Sequence, residues 1–184
     1  MLINVNELVP QYISKIYDAI LKSNFINENS NKNGYAELYR VISENEVEIR
    51  AYFKPLGYTL IKRVGYFYFA RDDAPDNQSN LETIVDYIDI VNFLKIMDSN
   101  FTVDYPFVLS SMENQLNNNI ELQEQISKMR GINATNNREF IQKIIDKLKK
   151  SGFVEERNAL NGEFIVLKSY DYLETFFKEV DIYE

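Results

Sequence analysis

Residues 136–167 read NNREFIQKIIDKLKKSGFVEERNALNGEFIVL, and their pattern decides the fold. Phe140, Ile141, Ile144, Ile145 and Leu148 recur at the 3.6-residue helical period, so they share one stripe. Asn136 stands three residues before Glu139, the spacing of an N-cap with its capping-box partner. Gly152 follows the last periodic residue, where a left-handed helix end favours glycine. Phe153-Val154-Glu155-Glu156 reads as a short strand, Asn161-Gly162 as a tight turn, and Glu163 to Leu167 as the returning strand. Helix, glycine, strand, turn, strand is the second half of a winged helix-turn-helix domain.

The same order occurs earlier. Ile49, Tyr52, Phe53 and Leu56 form a helical stripe, and Gly57 closes it. Tyr58 to Lys62 is a strand, Val64-Gly65 turns, and Tyr66-Phe67-Tyr68-Phe69 returns. The expectation is therefore a mostly α chain with small β-hairpins, an α+β protein of tandem winged helix-turn-helix domains. The divisions expected are 1–72 for the first winged helix, 73–100 for a linker and connecting helix, and 101–184 for the second.

Outward from these hairpins, Asn6 can cap a first helix reaching about Ser23, with Leu8, Tyr12, Ile16 and Ile20 on one face. Asn24 to Gly34 is Asn-rich and reads as a loop. Tyr35, Leu38, Tyr39 and Ile42 form a second helix, and Asn45 caps a third from Glu46 to Leu56. Asp72 to Asn80 is the clearest linker. Leu81 to Met97 is helical and apolar nearly all round, so it is buried on most faces. Two readings are open for it: packing between domains or subunits, and a central core helix. Pro106 can start a helix through Leu116. Glu121 to Met129 is a short helix, and Tyr170 to Val180 closes the chain.

Length and composition bound the function. The 184 residues are 45% hydrophobic and 14% aromatic, enough for a proper core. There are 20 basic residues against 28 acidic, a net charge of −8. Dedicated nucleic-acid binders are usually basic, so DNA is not expected as the sole partner. The chain has no Cys, His or Trp. That removes disulfides, thiolate zinc sites, cysteine nucleophiles and Ser-His-Asp chemistry. Asp86 and Asp89 lie close on one helix but have no complementary Lys, Ser or His nearby, so a salt bridge or a solvated face is the reading. No Gly-rich phosphate loop and no metal-ligand spacing occurs. The chain reads as a non-enzyme without cofactor or metal. With no signal peptide and no run long enough to span a bilayer, it is expected to be soluble and cytoplasmic, with no membrane contact.

Two kinds of surface are candidates. The polar side of the 138–150 helix carries Arg138, Lys143, Lys147, Lys149 and Lys150, and the first wing carries Lys62 and Arg63. Lysines bind phosphate without reading sequence; a solvated helix face whose late cations complement the helix dipole is the alternative. The counterpart helix in the first half starts Glu46-Val47-Glu48, which repels phosphate. For partner or dimer contacts the candidates are Ile84, Ile88 and Val91 on the apolar helix, and Phe164, Val166, Phe176 and Phe177. The last four follow from Glu163 to Leu167 being apolar on both faces, read as an outer wing strand beside the closing helix. Its unpaired edge would accept a partner segment.

The order of these elements resembles the MukE/MksE-type subunits of bacterial condensin-like SMC complexes, including the related small subunit of Wadjet-type defence systems. The resemblance rests on Tyr35-Ala36-Glu37-Leu38-Tyr39, Glu48-Ile49-Arg50-Ala51-Tyr52-Phe53, Leu56-Gly57-Tyr58-Thr59-Leu60 and the strand Tyr66 to Phe69. It implies a homodimer that binds a kleisin subunit and, through it, the SMC ATPase, in chromosome organisation or plasmid exclusion. Weak, non-specific DNA contact is compatible with it. The alternative function is a winged-helix transcription regulator.

Overall fold

The computed structural model describes residues 10–22, 25–32, 34–71, 78–129 and 131–181, and no side chain for 10, 11, 22, 78–86, 128 and 179–181. The Asn6 cap, Leu8 and the 72–77 part of the expected linker therefore lie outside the described residues, as does the side chain of Ile84. The chain divides into two compact units, Met1–Asp76 and Asn77–Glu184.

The first unit runs α1 (Pro10–Lys22), β1 (Phe25–Asn27), α2 (Tyr35–Glu44), α3 (Glu46–Phe53), a 3-10 turn Lys54–Leu56, β2 (Tyr58–Arg63) and β3 (Tyr66–Arg71). Its antiparallel sheet has the order β1-β3-β2. The helices bury Ile16, Ala19, Leu38, Ile42, Ile49 and Phe53 against Ile26, Leu60 and Phe67 of the sheet. Fully burying one such side chain contributes roughly 1.5–3 kcal/mol. Gly57 ends the 3-10 turn at φ 79°, and Gly152 sits at the matching place of the second unit at φ 76°. An L side chain is strained in that left-handed region.

The second unit repeats the order with additions. It runs α4 (Gln78–Met97), β4 (Pro106–Val108), α5 (Leu109–Asn118), α6 (Ile120–Lys128), α7 (Asn137–Lys150), β5 (Val154–Asn158), β6 (Glu163–Val166) and α8 (Tyr170–Asp181). The sheet order, β4-β6-β5, matches that of the first unit. The α7 stripe is wholly buried, with Phe140 meeting Phe93 of α4 edge-on at 5.4 Å between centroids. Phe101 is ringed by Tyr105, Phe107 and Tyr170 at 5.3–5.6 Å.

Four sequence expectations change. The Asn24–Gly34 loop contains β1, which pairs with the distant β3. The expected Pro106 helix begins as a strand paired with β6, and turns helical only at Leu109. Both strands are three residues long, too short for alternation to announce them. Gln78–Asn80, assigned to the linker, already belong to α4, and α4 packs within the second unit, where Ile90, Val91, Phe93 and Leu94 are buried. Of the Ile49 stripe, Tyr52 and Leu56 are exposed: α3 turns Ile49 and Phe53 into the core, and the 3-10 turn after Phe53 carries Leu56 away from it.

The α7 cap forms with a shift. Asn136 Oδ1 accepts the Glu139 N–H at 2.9 Å, while the Glu139 carboxylate takes the backbone N–H and hydroxyl of Thr135 at 2.8 and 2.6 Å. Lys143 also pairs with it at 2.7 Å. These bonds, the Lys143 one foremost, hold the Glu139 carboxyl down at about 2. A depressed carboxyl stabilises the fold above its unfolded value and loses that stabilisation as pH falls towards the folded one. Thermal melts from pH 5 to pH 2 are therefore expected to show a smaller acid-induced drop for Glu139→Gln than for the natural chain. Asn136→Ala should cost about 1 kcal/mol at neutral pH, by loss of the cap.

Candidate functional site

The exposed side of α7 carries five cations and two carboxylates, so the helix is net positive, but much of that charge is engaged. Lys143 holds Glu139 and also donates to the Asn133 carbonyl. Lys149 pairs with Glu156 of β5 at 2.7 Å and lies over the Phe164 ring. The Lys147 ammonium stands 5.1 Å from the ring centroid of Tyr87. Arg138 and Lys150 are exposed and make no ion pair among the described residues. Arg138 overlooks an open polar cleft with Glu113, Asn117 and Asn137, between α5 and α7. Exposed ion pairs contribute only about 0–1 kcal/mol, so a phosphate can displace them.

On the first unit, Lys62 is committed to Glu46 at 2.8 Å, and Arg50 joins the same carboxylate at 2.8 Å while donating to the Leu60 carbonyl at 2.7 Å. Lys62 and Arg50 hold the Glu46 carboxyl below its ordinary range. Glu46 thus ties the start of α3 to β2. Arg63 is exposed beside Val64, which is 87% exposed at the hairpin tip. Leu160, at the corresponding tip of the second unit, is 98% exposed. An aliphatic residue inside a turn was the signal for these tips, and the pattern reading passed over it.

The apolar candidates separate into two groups. Ile88 of α4 and Phe176 of α8 come together, with Tyr87, Tyr172 and Leu173, around one narrow groove, at the bottom of which Val91, expected at a contact surface, is buried at 1% exposure. Phe177 is half-buried on the same helix. Phe164 and Val166, expected at a partner surface, lie in the core at 3% and 0% exposure. The reason is topological: β6 is the central strand, flanked by β4 and β5, so it has no free edge. Its two apolar faces are both buried, Phe164 and Val166 on one and Ile165 on the other, and Phe164 stacks on its cross-strand neighbour Phe107 at 5.5 Å. In place of the expected free edge beside the last helix, the apolar opening lies between α4 and α8. Tyr87, which the pattern reading did not single out, ties α4 to the end of α7 through a hydrogen bond with Ser151 and an edge contact with Phe153.

Among the described residues no three Asp or Glu side chains are grouped to hold a metal ion, and no helix is long and apolar enough to cross a membrane. No curated protein matches the chain. A family model described as condensin complex protein MksE matches residues 11–177, from the first turn of α1 into α8, and so takes in both repeats. The chain belongs to the MksE family, the accessory subunits of condensin complexes.

Proposed function

We propose that this chain is the kleisin-binding subunit of a condensin-like SMC complex, with each compact unit a winged helix and two chains forming a dimer. The family match over both units carries the reading. The repeated sheet order, β1-β3-β2 and β4-β6-β5, supports the tandem of winged helices. The complex would act in chromosome organisation or plasmid exclusion, and the chain would reach the SMC ATPase through the kleisin. Co-expression with the kleisin and SMC subunits of the same complex should give a stable co-purifying assembly. A chain that stays apart from the kleisin in size-exclusion chromatography at micromolar concentration would overturn the reading.

The dimer is assigned to the α4–α8 groove. Tyr172, 39% exposed beside it, gives a variant that spares the core. Light scattering at tens of micromolar should find a dimer for the natural chain, a range in which a modest interface of roughly micromolar Kd is populated. It should find a monomer for Tyr172→Glu, with melting unchanged. A natural chain that is monomeric under these conditions counts against the dimer.

DNA contact, in this reading, is secondary. The cations of α7 support weak, sequence-tolerant binding that falls steeply with salt, because the net charge of −8 opposes it. In fluorescence anisotropy the double charge reversal Lys147→Glu/Lys150→Glu should abolish it. Tight binding to one palindromic site that survives the reversal would favour a transcription regulator instead.

A further inference from the structure

The two units share a sheet order but treat their first strands differently. All three residues of β1 are buried. In β4, Pro106 is exposed and Val108 half-buried, with only Phe107 turned into the core. The ladder fixes which backbone groups are left over. Val166 N–H donates to the Tyr105 carbonyl at 3.0 Å and Leu109 N–H to the Gly162 carbonyl at 3.3 Å. Antiparallel alternation then turns Phe107 inward to Phe164, and points the Pro106 carbonyl and the Val108 N–H away from the sheet. An uncovered edge of this kind is open to an added strand.

Beside that edge, between the end of α4 and α5, lies a cleft of about 220 Å³. Its floor is apolar: Phe101, Phe107 and Met112 are nearly buried. Its lip carries one charge, Asp98. The Tyr105 hydroxyl and the backbone and side-chain N–H groups of Asn100 donate to that carboxylate. The Tyr105 bond above all keeps it ionised, below the ordinary carboxylate range. Asp98 makes no ion pair among the described residues, and a carboxylate with roughly four acceptor positions has room for one more donor. An apolar trough ending in an unpaired anion suits a long side chain with an apolar stem and a cationic head. The acidic balance of the whole chain favours a basic segment in the same sense.

We propose that an extended segment of the kleisin lies along the outer edge of β4 and sets a lysine or arginine in this cleft. Its stem rests on Phe101 and Phe107 and its cation meets Asp98. The proposal rests on the kleisin-binding reading above and adds to it the place and the chemistry of the contact.

Ser111 is exposed on α5 and lines the cleft, so Ser111→Trp fills the cleft from the solvent side. Asp98→Asn keeps the acceptor for Tyr105 and removes the charge. Ser110→Trp, one residue away and lining a different cleft, is the steric control. In calorimetric titration with the purified kleisin subunit, Ser111→Trp should weaken binding by at least about tenfold, or 1.4 kcal/mol. Asp98→Asn should weaken it by a smaller factor that shrinks at high salt, and Ser110→Trp should bind as the natural chain does. Hydrogen exchange on the unmutated chain gives an independent reading: the Val108 amide should become protected when the kleisin binds. Kleisin binding that is tight, indifferent to Ser111→Trp and without protection at Val108 overturns this proposal while leaving the kleisin reading intact. An affinity unchanged by Asp98→Asn at low salt overturns the basic anchor. Absence of kleisin binding by the natural chain overturns both readings together.

Discussion

Both sheets depend on a central strand that is apolar on its two faces. In β3, Phe67 and Phe69 pack towards the helices, while Tyr66 and Tyr68 gather with Phe25 on the opposite side at 5.7–6.3 Å. In β6, Phe164, Ile165, Val166 and the following Leu167 are all buried. Successive side chains of a strand point to opposite faces, so a strand of this kind must be covered above and below and bonded at both edges. The short strands β1 and β4 exist to meet that demand. Each places three residues on the open edge of a hairpin, which alone would leave the central strand half unpaired.

The helices follow from the same constraint. α7 spends its whole apolar stripe, Phe140 to Leu148, inside the second unit, and so only its polar side remains for outside contacts. That side is laced to its surroundings by Glu139 and Glu156. On α3 the carboxylate of Glu46 gathers Lys62 and Arg50. Lys143 and Lys149 of α7, and Arg50 and Lys62 of the first unit, are thus engaged with intramolecular carboxylates. Charge that is paired locally steers weakly and reads nothing.

Interaction capacity lies where the demand for burial is left incomplete. The groove between α4 and α8 gathers Ile88, Val91 and Phe176 with a half-exposed tyrosine. The outer edge of β4 turns a carbonyl and an amide away from the sheet, beside a phenylalanine-floored cleft. The two places differ in chemistry. One is apolar throughout and suits another helical surface, while the other combines backbone groups with a single carboxylate and suits an extended basic segment.

Local signals in the sequence determined the helices and hairpins. The α7 stripe, the Asn136 cap, the glycines at 57 and 152 and the Asn161-Gly162 turn each act over a few residues, so spacing alone reveals them. Family membership was legible for the same reason, since it rests on the order of these elements. What only the tertiary structure decided depends on pairing across long stretches of chain. Phe25–Asn27 pairs with residues some forty positions later and Pro106–Val108 with residues nearly sixty later; three residues carry no period by which to be recognised. Those two strands convert β3 and β6 from edges to centres, and that conversion moved Phe164 and Val166 from an expected partner surface into the core. The state of the lysines was equally hidden, because whether a cation is free depends on which carboxylate the fold brings within 3 Å.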